Sequence, residues 1–184
     1  TYIGGDKLFL VNLNSMYAFG ENHERYLEYN DGFLSTVGLP YLSYDYYACT
    51  GEFPNVRNSY FDQLDLISKW SIKNKTPFWS FVLSTGHKFN NSTTYYREPT
   101  EADIYWQANT AIAYGAKGLT YFCYQIPHIL SGNEVYLGQG GNFIDENGEK
   151  TAVYNYGQNI NNFIHSIDHI IMNSTIAGML KHET

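Results

Sequence analysis

The segment from Arg97 to Gln125, REPTEADIYWQANTAIAYGAKGLTYFCYQ, packs a whole helix and a whole strand into so short a space that few folds accommodate it. Thr100 is a good N-cap, and Glu101 and Asp103 put negative charge where the first turn leaves N–H groups unpaired, with Pro99 just outside. Ile104, Ala108, Ala111 and Ile112 recur at helical spacing and give a narrow, small-residue face that can lie close to a sheet. Gly115 suits the left-handed residue that ends a helix, and only Ala116 and Lys117 separate it from Gly118. Leu119 to Tyr124 is apolar and aromatic on both parities, the pattern of a strand buried on both faces. Such a joint is the αβ half of a parallel α/β repeat.

The same unit recurs along the chain. Lys7–Asn14 reads as a first strand, His23–Val37 as a helix weakened by Asn30 and Gly32, and Tyr41–Tyr47 as a second strand. A helix is expected from about Asn58 to Asn74, with Phe61, Leu64, Ser68 and Ile72 on its buried face, then a third strand at Phe78–Ser84. Thr85–Tyr96 reads as a polar loop, Ile126–Asn142 as a Gly-rich excursion and Asp145–Gly148 as a tight turn. Thr151 should cap a last amphipathic helix facing inward through Ile160, Phe163, Ile164, Ile167 and Ile171.

Four strand–helix units with short αβ joints predict a parallel α/β fold, either an open doubly wound sheet or part of a (β/α)8 barrel. A nucleotide-binding open sheet needs a Gly-rich turn after a strand, whereas these strands end in Asn, Asp, Ser and Gln. Functional side chains at every strand's C-terminal end are the habit of the barrel, and a full barrel takes about 250 residues. The 184 residues are therefore expected to form one unit, the C-terminal half of a barrel, trimmed or processed before Thr1.

Composition narrows the partners. With a net charge of -7 and no basic run, nucleic acid and anionic membrane are poor candidates, and no apolar stretch approaches the roughly 20 residues that span a bilayer. Charged residues make up 16% while 18 Tyr lift aromatics to 17%, a load of flat amphipathic surfaces that suits sugar rings and equally a tyrosine-rich core. Two cysteines do not make a disulfide framework. No Walker loop, G-x-S-x-G elbow or central strand lysine is present, so no cofactor is expected and Schiff-base chemistry has no candidate. A sugar-phosphate barrel would need an anion site that the sequence does not display. His165 and His169 have metal-ligand spacing but no suitably placed Glu, and no metal site is expected. Asn90–Ser92 and Asn173–Thr175 fit the glycosylation pattern, which chance supplies often and which fixes no compartment.

The strand ends supply the candidate site. Asp45, flanked by Tyr44, Tyr46 and Tyr47, is the acid that burial and phenol hydrogen bonds would tune for catalysis. Asn12 and Asn14 share one parity and suit sugar hydroxyls, Tyr124 and Gln125 would line a subsite, and Ser84 and His87 leave the third strand toward the same end. Arg97 is assigned to substrate, with pairing to a carboxylate or simple anchoring of its loop as the alternatives. Glu98 and Glu101 are further carboxylates, Glu101 being accounted for by the helix N-terminus.

Ala113-Tyr-Gly-Ala-Lys-Gly-Leu-Thr-Tyr-Phe-Cys-Tyr124 resembles the approach to the last barrel strand of family 42 glycoside hydrolases, the β-galactosidase type. Tyr41–Tyr47 is similar to the sixth strand of related barrels, and Arg97-Glu-Pro-Thr-Glu-Ala102 to the opening of their seventh helix. The resemblance implies that this chain spans strands five to eight, with carbohydrate as its partner. It also implies an acid/base Glu on strand four, outside the chain, and a nucleophile at the end of strand seven. That end here reads Phe81-Val-Leu-Ser-Thr-Gly86, without a carboxylate. Hydrolysis of a glycosidic bond, with part of the site supplied from outside the chain, is thus one expectation; non-catalytic carbohydrate binding by a degenerate barrel is the other. Either way the open edges call for a second copy or a missing N-terminal half-barrel.

Overall fold

The computed structural model describes residues 9–89, 93, 95–125, 134–136 and 142–178. Four parallel strands, β1 (Asn12–Leu13), β2 (Leu42–Tyr44), β3 (Phe78–Leu83) and β6 (Gly118–Phe122), form a sheet in the order β1-β2-β3-β6. The order advances in one direction, so right-handed crossovers put the connecting helices on one face. These are α1 (His23–Val37), α2 (Ser59–Asn74) and α3 (Glu101–Ala113), followed beyond β6 by α4 (Ala152–Ser166) and the short α5 (Asp168–Asn173). The chain is therefore α/β with a parallel sheet, as the repeats predict.

Sheet parity divides the side chains cleanly. Tyr44 and Phe78 sit on the helix side; Tyr44 lies close to Tyr26 of α1 and Tyr60 of α2, and Val82 packs with Ile104 and Ala108 of α3. The opposite face carries the register row Asn12, Ser43, Trp79 and Gly118, with Trp79 and Phe81 half-buried. Asp45 continues the parity of Ser43 and so belongs to this helix-free face.

Local signals account for the helix ends. Asn22 accepts a hydrogen bond from the Arg25 N–H and starts α1, and Gly38 ends it at φ 66°. Asn30 and Gly32 do not break it, because Asn30 is buried in the packing. At α3 the Thr100 side chain accepts from the Asp103 N–H while the Asp103 carboxylate accepts from the Thr100 N–H, a reciprocal capping box. Gly115 follows at φ 96°. Asp145 forms the expected turn, accepting the Gly148 N–H at its carbonyl and the Asn147 and Glu149 N–H groups at its carboxylate.

Five expectations need correction. The first strand contracts to Asn12–Leu13; Phe9 and Leu10 are exposed, and Lys7 and Leu8 lie outside the described residues. The buried face of α2 runs through Tyr60, Gln63, Leu64, Ile67, Ser68 and Trp70, which leaves Ile72 exposed. Gln63 turns inward because the Met16 N–H at 2.8 Å and the Tyr26 hydroxyl at 2.9 Å satisfy its amide. Thr85–Tyr96 is no plain loop: β4 (His87–Phe89) pairs antiparallel with β5 (Tyr95–Tyr96) and with β7 (Glu134–Tyr136). The rest of the Gly-rich excursion, 126–133 and 137–141, lies outside the described residues, as does Asn90–Ser92. β6 is half-buried along its length rather than covered on both faces, since among the described residues it pairs only with β3. Finally, α4 buries Val153, Gly157 and Ile160 but leaves Phe163 51% exposed, so its apolar stripe is only partly covered.

Candidate functional site

Parallel strands bring their C-terminal ends to one side, and there the Asn12 amide donates to Asp45 Oδ1 at 2.6 Å. The bond spans the ends of neighbouring strands: Asn12 is set by β1, and Asp45 follows directly on β2. Asp45 is half-buried. Burial raises its pKa above the usual carboxylate range, against the opposing pull of the Asn12 hydrogen bond, its own backbone and the nearby charge of His87. An amide that donates beside a carboxyl whose pKa is raised offers complementary hydrogen-bond partners to a polar ligand.

An aromatic wall adjoins this pair. The His87 ring sits 4.7 Å from Tyr96, 5.1 Å from Phe122 and edge-on to Tyr47 at 5.7 Å. His87 is buried, with Nδ1 3.2 Å from the Thr85 carbonyl. Tyr47 completes the cluster against Tyr96 and Phe122 at 5.4 and 5.5 Å. The β4–β5 pairing, His87 against Tyr96, is what folds the exit of β3 back over the strand ends and brings these rings together.

The remaining candidates divide. Tyr46 is buried beside Asp45 in the chain, its hydroxyl 2.7 Å from Ser59 Oγ. Tyr44 points the other way, fully buried among the helices, where desolvation raises its phenol well above the ordinary value; it is core rather than site lining. Ser84 is buried and bonded to the strand-end backbone, its N–H to the Phe122 carbonyl at 2.7 Å and its hydroxyl to the Cys123 carbonyl at 3.3 Å. Arg97 is held by Asp103 at 2.5 Å and by the Asn55 carbonyl at 2.8 Å, and so anchors the start of α3. Tyr124 is 62% exposed but stacks on Phe143 at 6.0 Å, and Gln125 donates to the Asp145 carbonyl at 3.2 Å. Both thus line the α4 side of the β6 end. Asn14 is exposed just beyond β1.

Two residues absent from the sequence reading matter here. Gln107 of α3, fully buried, accepts the Leu83 N–H at 3.0 Å and donates to the Leu83 carbonyl at 3.2 Å, clamping the end of β3 to the helix layer. Its place on the narrow Ala108 face was a usable signal. Arg57, in the loop between β2 and α2, lies over the rings of Tyr46, Tyr17 and Tyr96. Its position in a loop leaving a strand's C-terminal end was the cue.

Clefts also lie elsewhere on the molecule. One of about 380 Å³ runs between the β6 end and α4, lined by Tyr121, Tyr124, Phe143, Tyr154 and α4 amides. Another, of about 310 Å³, opens at the opposite end of the sheet around Pro77 and Ile176. Among the described residues there is no cluster of three or more His, Cys, Asp or Glu that could hold a metal, and no helix is long and apolar enough to cross a membrane. His165 is exposed, 3.8 Å from Asp168. Comparison of the chain with models of protein families, with curated proteins and with solved structures finds no match.

Proposed function

We propose that this chain is four consecutive units of a (β/α)8 barrel acting on carbohydrate, and that Asp45 serves as the general acid in cleavage of a glycosidic bond. The observation that carries the proposal is the 2.6 Å Asn12–Asp45 bond at the C-terminal ends of adjacent parallel strands, on a carboxyl whose pKa burial has raised. A raised pKa favours the protonated form that a general acid needs, and the half-buried Tyr96 and Phe122 beside His87 offer ring edges to sugar C–H faces. The one-directional strand order supports the barrel, since a doubly wound sheet reverses at a switch point. The likeness to family 42 glycosidases rests on the Ala113–Tyr124 motif.

Double-displacement hydrolysis requires a second carboxyl about 5–5.5 Å away. In this proposal it comes from barrel units outside the chain. A second reading, sugar binding without turnover, is favoured by the exit of β3, where Phe81–Gly86 contains no carboxylate. A screen of aryl glycosides and oligosaccharides against the assembled barrel separates the two. Asp45→Asn is expected to lower kcat by about 10²-fold or more, the scale of general acid catalysis. Unchanged kcat with a raised KM would reassign Asp45 to substrate positioning. Saccharide binding without turnover would select the second reading.

A further inference from the structure

The loop between β2 and α2 holds a cation, Arg57, that no carboxylate among the described residues pairs with. The Arg57 guanidinium lies 4.7 Å from the centroid of Tyr46 and 5.5 Å from those of Tyr17 and Tyr96. One Nη2–H donates to the Tyr96 hydroxyl at 3.3 Å. The backbone beneath is fixed as well: the Arg57 N–H donates to the Ala48 carbonyl at 2.9 Å, and the Arg57 carbonyl accepts the Tyr60 N–H at 3.0 Å. Yet among the described residues no carboxylate pairs with Arg57, in contrast to Arg97, which has Asp103 at 2.5 Å.

Three features make this more than a packed side chain. A guanidinium carries five in-plane donors, and the Tyr96 hydroxyl takes one of them. A ring contact does not use up guanidinium N–H groups, so donors of Arg57 are left for a planar anion. The outer ring, Tyr17, is 67% exposed, so the group is half-buried yet reachable. The cage also shares a wall with the candidate site, since Tyr96 packs on His87 at 4.7 Å. A chain of net charge -7 repels anions in general, but beyond about 8 Å physiological salt screens that field and leaves the local cation to decide.

We propose that Arg57 and the tyrosines around it form a carboxylate subsite beside Asp45, so that the saccharide recognised is an acidic one bearing a uronate. This rests on the reading of the Asn12–Asp45 pair as a sugar site. A sugar ring stacks on tyrosine, its hydroxyls meet the amide–carboxyl pair, and its carboxylate accepts two parallel N–H bonds from the fork.

The test is calorimetric titration of the assembled barrel with a galacturonate trimer and with the galactose trimer of the same linkage. The acidic trimer is expected to bind about 10- to 100-fold more tightly, the span of a hydrogen bond to a charged group. Arg57→Gln should abolish that ratio. Arg57→Lys, which keeps the charge and loses the fork, should reduce it by about tenfold, and decides the matter should the Gln variant fail to fold. A merely structural Arg57 would weaken both sugars together and leave their ratio unchanged. Equal binding of the two trimers, or a preference that survives both substitutions, overturns the subsite while leaving the Asp45 reading in place. Failure of both trimers to bind also overturns the subsite, while the Asp45 reading then stands or falls on the glycoside screen.

Discussion

Removing the Asp103 carboxylate should cost this chain more than any exposed ion pair would. Asp103 Oδ2 accepts the Thr100 N–H and hydroxyl, both at 2.9 Å, while Oδ1 meets Arg97 Nη2 at 2.5 Å. The two charged side chains are 8% and 7% exposed. Asp103→Ala therefore strips the capping box, worth about 1 kcal/mol, and strands a buried guanidinium, a loss of about 3–5 kcal/mol when a buried pair is broken. The Asn55 carbonyl at 2.8 Å remains to Arg97 and softens the second cost, so the two overlap rather than add. A net loss of about 3–5 kcal/mol is expected, a large share of the roughly 5–15 kcal/mol that domains possess. Urea melts followed by circular dichroism of Asp103→Ala, Arg97→Met and the Asp103→Leu/Arg97→Met double variant measure it. The double variant should recover part of the loss, because neither charge is then left alone. A cost below about 1 kcal/mol for Asp103→Ala, the exposed-pair scale, or additive single-variant losses, would refute the reasoning. In that case Arg97 would be free to serve a substrate.

Other expectations follow from single contacts. Burial raises the folded-state pKa of Asp45 above the unfolded value of about 3.9, so its contribution to stability is lost as pH rises through the raised pKa. Asp45→Asn should therefore gain thermal stability on the wild type between pH 3 and pH 7; a constant offset at both pH values would contradict this. Gly118→Ala places a Cβ 2.4 Å from the Trp79 ring, which itself stacks on Tyr41 at 4.8 Å. Overpacking of about 1–3 kcal/mol and a shifted tryptophan emission are expected, and an unchanged melt and spectrum would show that Trp79 has room to move. Cys49 is fully buried, and burial pushes its thiol up to about 12, so a thiol reagent at pH 8 should modify it only through unfolding; labelling faster than the unfolding rate would oppose that.

Elements whose signals are local could be read from the sequence. α3 was legible to the residue because Thr100, Asp103 and Gly115 act within one turn of the backbone they terminate. The first strand was not, since an apolar run such as Phe9–Val11 reports a tendency to be buried, whereas pairing needs a partner elsewhere. Gln63 and Gln107 are polar residues whose burial depends on Met16, Tyr26 and Leu83, none of them near in sequence. The β4–β5 pairing escaped for the same reason, and with it the ring cluster of His87, Tyr96, Tyr47 and Phe122. The strand-end place of Asp45 was legible because the apolar run before it marks β2 locally, whereas its bond to Asn12 depends on pairing with β1.

Three exposed features of the sheet share one physical remedy. β6 is half-buried from Gly118 to Phe122, and among the described residues its outer edge has no strand beside it. The helix-free face carries Trp79 and Phe81 half-buried, and α4 turns Phe163 to solvent while Ile160 is covered. An open sheet leaves all three as they stand. In the barrel proposed above, further strands between β6 and β1 would pair the edge groups and cover the Trp79 face. The same added units, each carrying its own helix, would pack along the uncovered stripe of α4. The closure that satisfies the backbone would also bring new strand ends to the side where Asn12 holds Asp45, and with them the place from which a second carboxyl can reach the same sugar.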